Sequence, residues 1–290
     1  MKTIIYGQKW KADYEQYTHM LLAKLQKEGI EYKFAGGLTE EAPFDLGSAD
    51  IIASHKELLE YGPEVIITLG GDGTILSAVT LIRKAEIPIL GINMGRLGFL
   101  ASIEQTRIEQ AIDLLLEKKY SISSRVMLQL TTEPGTFGDK NYALNDFTLL
   151  KRDNSSMIVL HTYVDGNFLN SYWADGLIVS TPTGSTGYSL SCGGPIIFPT
   201  ADNFILTPVA PHNLNVRPVV LSSDHELTFK IEGRSENYLC TLDSRYTTVT
   251  SEYKLTLKKN PFQTKLIQLE GDNFMNTIRH KLHWGIDKRN

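Results

Sequence analysis

The chain is poor in the residues that build covalent or paired-thiol sites. Only two cysteines occur among 290 residues, Cys192 and Cys240, with no CxxC spacing. That excludes a disulfide framework and a paired-cysteine zinc site, and it fits free thiols in a reducing, cytoplasmic setting. An excess of one charge is also lacking. Lys and Arg number 29 against 33 Asp and Glu, a net charge of −4. A broad nucleic-acid surface is therefore not expected, although a narrow basic pocket is still allowed. No apolar run approaches a membrane span. Met1–Gly7 reads as a short strand without the apolar stretch and cleavage site of a signal peptide. Metalloprotease helix, Walker Gly-Lys-Ser/Thr and nucleophile elbow are all missing. His280 and His283 share a helical face but read as surface or packing residues, and metal ligands stay unassigned.

What the chain does have is apolar content. Hydrophobic residues make up 42% of it, enough for one large or two modest cored domains. Its first part alternates strand and helix patterns. Strands are expected at Thr3–Tyr6, Glu31–Phe34, Val65–Leu69 and Pro88–Ile92. Helices are expected at Tyr14–Lys27, Ala49–Glu60, Thr74–Lys84 and Ile108–Lys118. This order predicts an α/β domain over residues 1–121 with a Rossmann-like parallel sheet. Strand-like runs dominate afterwards: Val126–Thr131, Tyr142–Leu150, Met157–Tyr163, Leu177–Ser180, Val219–Leu221, Glu226–Ile231, Tyr238–Leu242 and Lys254–Leu257. They predict an all-β, sandwich-like second domain over residues 122–268. Residues 269–290 are expected to return as a helical tail packed on the first domain.

The most informative run is Gly70-Gly71-Asp72-Gly73-Thr74. It follows the apolar strand and opens a helix. Glycines let an anion approach the backbone closely, and the amides of a helix's first turn point at it. Asp72 is out of place in a purely phosphate-cradling turn. It makes sense as a base or an orienting group beside a phosphoryl group. The bland alternative is a glycine turn with a capping Asp.

Three further segments carry chemistry. Gly91–Leu100 forms a glycine-rich loop at the carboxyl edge of the sheet, where open α/β sheets bind ligands. Its Phe99 suits a flat base, whereas Leu97 suits packing at a domain junction. Asn145-Asp146 interrupts an apolar strand, and an amide beside a carboxylate suits a ribose hydroxyl pair. The alternative is an Asx turn or bulge. Ala174–Pro195 is dense in glycines and hydroxyls, which can wrap a polar ligand, with Tyr188 offering a stacking face. The buried-strand run Leu177-Ile178-Val179 argues against a flexible linker.

Together with Pro208–Leu214 and Arg217-Pro218, these segments resemble the bacterial NAD kinase family over roughly Val65 to Leu221. Thr181–Ser191 is the specific part, since lipid kinases and phosphofructokinases carry similar Gly-Gly-Asp-Gly runs. The resemblance implies phosphoryl transfer from ATP, or inorganic polyphosphate, to the 2′-hydroxyl of the adenosine ribose of NAD, giving NADP. A divalent cation, Mg²⁺, would arrive with ATP. Asp72 would be the catalytic residue, and Gly71 and Gly73 would cradle phosphate. Phe99 would pack on adenine, Asn145 and Asp146 would bind ribose hydroxyls, and Asp175 would meet the nicotinamide side. Thr186, Gly187, Tyr188, Ser189, Ser191 and Ala210 would line the dinucleotide groove. A homo-oligomer, tetramer or dimer, is implied, with no nucleic-acid or membrane partner.

The chain departs from the family pattern in places. Asp146 stands where Glu is commoner, Gly187 where Ala is usual and Trp173 where a basic residue is frequent. Arg245, in Leu242-Asp243-Ser244-Arg245, stands where Gln is common and is a candidate to replace the missing charge, from this or another subunit. Two other readings compete: a lipid or small-alcohol kinase sharing the glycine turn, and a pyridine-nucleotide sensor without catalysis.

Overall fold

The computed structural model describes residues 1–39, 51–152 and 157–285. The chain forms two compact units, one of residues 1–124 with 264–290 and one of residues 125–263.

In the first unit, strands β1 (Lys2–Tyr6), β2 (Glu31–Ala35), β3 (Ile51–Ile52), β4 (Val65–Leu69) and β5 (Ile89–Asn93) lie in the order 3-2-1-4-5, all parallel, with β6 (Ile103–Glu104) also beside β5. Both β4 and β5 are buried along their whole length, as a parallel strand covered on both faces must be. Helices α1 (Glu15–Lys27), α2 (His55–Tyr61), α3 (Asp72–Ile82) and α4 (Ile108–Leu116) make the crossovers. The helix α4 buries Ile108, Ala111, Ile112 and Leu115, the stripe its spacing predicts. A further strand, β7 (Tyr120–Arg125), lies at the sheet's far edge.

One expected helix begins late. Residues 49 and 50 lie outside the described residues, and Ile51-Ile52 pair with Phe34-Ala35 as a strand. The helix starts at His55, where the Ser54 hydroxyl caps the Glu57 amide at 3.2 Å.

The second unit holds two six-stranded antiparallel sheets. One contains, in spatial order, Val219–Ser222, Asn203–Val209, Gly176–Ser180, Asp146–Lys151, Tyr238–Leu242 and Arg245–Val249. The other contains Asn167–Ala174, Ile158–Val164, Leu227–Glu232, Lys254–Lys259, Leu128–Glu133 and Tyr142–Ala143. Inward residues of both sheets share one core, where the Phe147 and Phe229 rings stack at 5.7 Å. The expected sandwich is thus present. The expected strand Tyr142–Leu150 is instead two, broken at Leu144-Asn145.

The chain leaves this unit earlier than residue 269. Thr264–Leu269 pairs parallel with β5 and so belongs to the first unit's sheet, not to the β-sandwich. The C-terminal helix Phe274–Leu282 follows, capped by Asn273, and Arg107 bonds Asp272 at 2.9 Å to hold its approach.

Candidate functional site

Strand order reverses between β1 and β4, because β1 is followed by β2 on one side and neighbours β4 on the other. Open α/β sheets bind ligands at the carboxyl ends of strands flanking such a reversal. A cavity of about 560 Å³ lies there, lined by Gln8, Lys9, Lys11 and Tyr14 after β1 and by Leu69, Gly70, Gly71, Gly73 and Thr74 after β4. Gly70, at φ +154, passes so close to Thr74 that a Cβ would collide with its hydroxyl. Gly71 and Gly73 are exposed at the N-terminus of α3. Gln8 braces the other wall by donating to the Gly73 carbonyl at 3.2 Å and to Ser77. Among the described residues neither Lys9 nor Lys11 pairs with a carboxylate. Lys11 rests 5.6 Å from the Tyr14 ring. These two ammonium groups and a helix N-terminus give the wall a positive potential, the physical setting in which anions bind.

Asp72 does not point idly at solvent. Its Oδ1 accepts the Leu100 and Ala101 amides at 2.9 and 3.0 Å, and its Oδ2 accepts the Phe99 amide at 2.9 Å. The carboxylate therefore ties the Gly70–Thr74 turn to the Gly91–Leu100 loop. Gly98 makes this approach possible, since a Cβ there would overlap the carboxylate. With two lone pairs per oxygen, the described residues fill Oδ1 and leave one lone pair open on Oδ2. Phe99 is half-buried, and the Lys281 ammonium of the C-terminal helix lies 5.7 Å from its ring centre.

In the second unit the Leu144-Asn145 break is held by distant groups. The Thr181 amide and hydroxyl donate to the Asn145 and Leu144 carbonyls at 2.9 and 2.6 Å. The Asp243 carboxylate accepts the amides of Leu144, Asn145 and Asp146. The two side chains of interest stay open. Asn145 Oδ1 is buried without a hydrogen-bond partner among the described residues. The Asp146 carboxylate, 8% exposed, has none there either. Burial first, and the Asp243 charge second, push its pKa up to about 7. Unsatisfied buried polar groups are costly unless a ligand completes them.

The glycine- and hydroxyl-rich segment folds over this break. Gly184 packs on the Asn145 carbonyl, where any Cβ would clash. A Cβ on Gly187 would lie 3.9 Å from Asp146 Oδ2. Thr186 and Gly187 are half-buried, and Tyr188 and Ser191 are exposed. Ala210 is exposed at φ +45, a conformation glycine adopts more readily. Asp175 is half-buried and paired with Lys151 at 2.6 Å.

Two expected site residues are engaged elsewhere. The Ser189 hydroxyl is buried against Thr207 at 2.8 Å and packs beside Gly194, a place inside the fold. Arg245 donates to the Lys140 and Tyr142 carbonyls and lies 3.9 Å from Asp243, so its charge is already partnered. Sequence reasoning missed Gln8, Lys9, Lys11 and Tyr14. The signal available was their place just past β1, at the same sheet edge as the glycine turn.

Among the described residues there is no group of three His, Cys, Asp or Glu able to hold an ion. No helix among them is long and apolar enough to cross a membrane.

Comparison with known proteins is consistent along the whole chain. Residues 6–120 match the family model of the ATP-NAD kinase N-terminal domain, and residues 144–269 that of the C-terminal domain. An NAD kinase of Flavobacterium psychrophilum is 48% identical over 296 residues, covering 100% of both chains. One from Cytophaga hutchinsonii is 45% identical over 288 residues, 99% of each. An Archaeoglobus fulgidus NAD kinase solved in complex with ATP superposes with a TM-score of 0.77 at 25% identity, over 98% of this chain and 99% of that one. A yeast NADH kinase complexed with NADH gives 0.85 at 20% identity, over 99% and 88%, a likeness of fold.

Proposed function

The chain belongs to the NAD kinase family, and on that premise we propose how its two units divide the phosphorylation of NAD to NADP. The enzyme is an ATP-NAD kinase, and the phosphate that distinguishes NADP goes onto the 2′-hydroxyl of the adenosine ribose. The single observation that carries the reading is the Asp72 carboxylate, anchored by three amides with one lone pair left on Oδ2.

In the first unit, Lys9, Lys11 and the amides at Gly71 and Gly73 hold the donor's phosphates in the cavity. Their positive charge offsets the charge that spreads over the transferring group. Asp72 accepts the 2′-hydroxyl through Oδ2 and sets its direction of attack. Phosphoryl transfer depends chiefly on such positioning and charge neutralisation, so Asp72 acts as an orienting acceptor before it acts as a base. Phe99 offers its ring to adenine, which requires the Lys281 ammonium to share or leave that face.

In the second unit, Asn145 and Asp146 take ribose hydroxyls, which gives partners to the buried Oδ1 and the carboxylate, neither of which has one among the described residues. Thr186, Gly187, Tyr188 and Ser191 line the groove, Ala210 borders it, and Asp175 meets the nicotinamide side. A divalent ion comes as the counter-ion of ATP. Inorganic polyphosphate is a chemically suitable alternative donor, since Lys9 and Lys11 on this wall match phosphate charge. The reading includes a cytoplasmic homo-oligomer, tetramer or dimer.

The test is NADP formation from NAD with ATP or with polyphosphate, read by an NADP-specific dehydrogenase. NADP with either donor supports the reading. Phosphorylation of diacylglycerol or sphingosine with NAD untouched overturns it, as does tight NADP binding without turnover.

A further inference from the structure

The turn Asp243-Ser244-Arg245 is built at a cost that strand pairing alone does not explain. Leu242 pairs with Arg245, so Asp243 and Ser244 form a two-residue hairpin turn. Asp243 sits there at φ +53, a conformation that glycine adopts without strain. Its carboxylate is 4% exposed and accepts three successive amides, Leu144 at 2.9 Å, Asn145 at 2.8 Å and Asp146 at 3.2 Å. Its own amide donates to the Asp146 carbonyl at 2.9 Å. Successive amides turned to one point form an anion-binding concavity, and here the anion is supplied by the chain itself. Arg245 works on the acceptor side of the same segment, donating to the Lys140 and Tyr142 carbonyls with its guanidinium 5.6 Å from the Tyr142 ring.

We propose that this turn is a brace for residues 140–146, and that Asp243 is a positioning residue for NAD, acting through Asn145 and Asp146. The backbone of Leu144-Asn145-Asp146 is fixed from both directions, its amides by Asp243 and the Leu144 and Asn145 carbonyls by Thr181. Among the described residues, Asn145 Oδ1 and the Asp146 carboxylate have no hydrogen-bond partner. That division suits a segment whose backbone is rigid so that its side chains meet a ligand with little ordering cost. It also reassigns Arg245, from a phosphate-facing charge to a splint. Bringing a second carboxylate close to Asp146 is a further consequence. Asp243, which has Arg245 3.9 Å away, and Tyr188 are the charged and titratable groups that act on Asp146, and Tyr188 also feels Asp175, itself paired with Lys151.

The proposal rests on the ribose-binding reading of Asn145 and Asp146, and its test separates the two. Steady-state kinetics of the full chain are compared for wild type and Asp243→Asn, with KM measured for NAD and for ATP across pH. An Asn here turns an NH₂ toward the amides, removing charge-assisted acceptance. The KM for NAD is expected to rise about tenfold or more while that for ATP stays within about twofold. The acid limb of the NAD profile shifts to lower pH, because the neutral amide no longer repels the Asp146 carboxylate. A merely structural role lowers the active fraction and leaves both KM values and the pH profile in place, and that result overturns the brace. Should Asp243→Asn fail to fold, Arg245→Lys carries the test, keeping the charge but giving up the fork. A raised KM for NAD alone supports the proposal, and unchanged KM values overturn it. Failure of the underlying reading shows differently: Asn145→Ala and Asp146→Asn would then leave the KM for NAD at the wild-type value.

Discussion

Asp146→Asn gives a stability difference whose sign and size follow from burial. Burial, and second the Asp243 charge, raise the Asp146 carboxyl from its ordinary 3.8 to about 7 in the folded chain. Between those values the folded chain holds a proton that the unfolded chain has released. Stability therefore falls as pH rises through this window, and the full penalty is present above it. A change from 3.8 to about 7 corresponds to about 4 kcal/mol against the charged form. Asn has nearly the same shape and carries no charge, so it escapes this penalty. At pH 4 to 4.5 wild type and variant should melt close together. At pH 8 the variant should be the more stable by up to about 4 kcal/mol, a Tm gap of roughly 10 °C for a chain of this size. Thermal melts of both proteins at each pH, without nucleotide, measure it. A gap that is equal at both pH values, or a variant less stable at pH 8, refutes the argument from burial. Activity should run the other way. The anionic carboxylate is the better acceptor for a ribose hydroxyl, so wild-type KM for NAD should improve as pH rises through 7, and Asp146→Asn should lose that dependence.

Other substitutions test the remaining parts of the site. Lys9→Ala and Lys11→Ala should each raise the KM for ATP by about tenfold, more at low salt than at high salt, with the KM for NAD unmoved. Kinetics at two ionic strengths decide this. Gly98→Ala places a methyl where the Asp72 carboxylate lies, so kcat should fall about a hundredfold as the carboxylate is displaced. Ser189→Ala leaves Thr207 without its buried partner. It should cost about 1–3 kcal/mol in urea unfolding and leave both KM values unchanged.

The parts of the fold that sequence reading reaches are those specified by neighbours in the chain. Val65–Leu69 is five buried residues in a row, which only a covered strand explains, and the glycine turn after it is local chemistry. The stripe of Ile108–Leu116 repeats at helical spacing and buries as expected. Short or edge elements escape. Ile51-Ile52 is a strand only because β2 is there to pair with it. Asn167–Ala174 has half of its residues exposed and no clean alternation, and Pro208 hides the strand Asn203–Val209 from a propensity argument. The break at Leu144-Asn145 is not legible locally. Its amides bond a carboxylate 97 to 99 residues away, and its carbonyls are met from Thr181. For the site, the residue types of Asp72, Asn145 and Asp146 were readable. The three amides on Asp72, the lysines after β1 and the engagement of Ser189 and Arg245 are products of tertiary approach.

The most direct measurement is ATP-dependent conversion of NAD to NADP by wild type and Asp72→Asn, with NAD affinity determined separately by calorimetry. The wild type is expected to form NADP. In the variant kcat should fall by about 10²-fold or more, with the Kd for NAD within a few-fold. No NADP from the wild type with ATP or polyphosphate, or a variant that keeps its kcat, would contradict it.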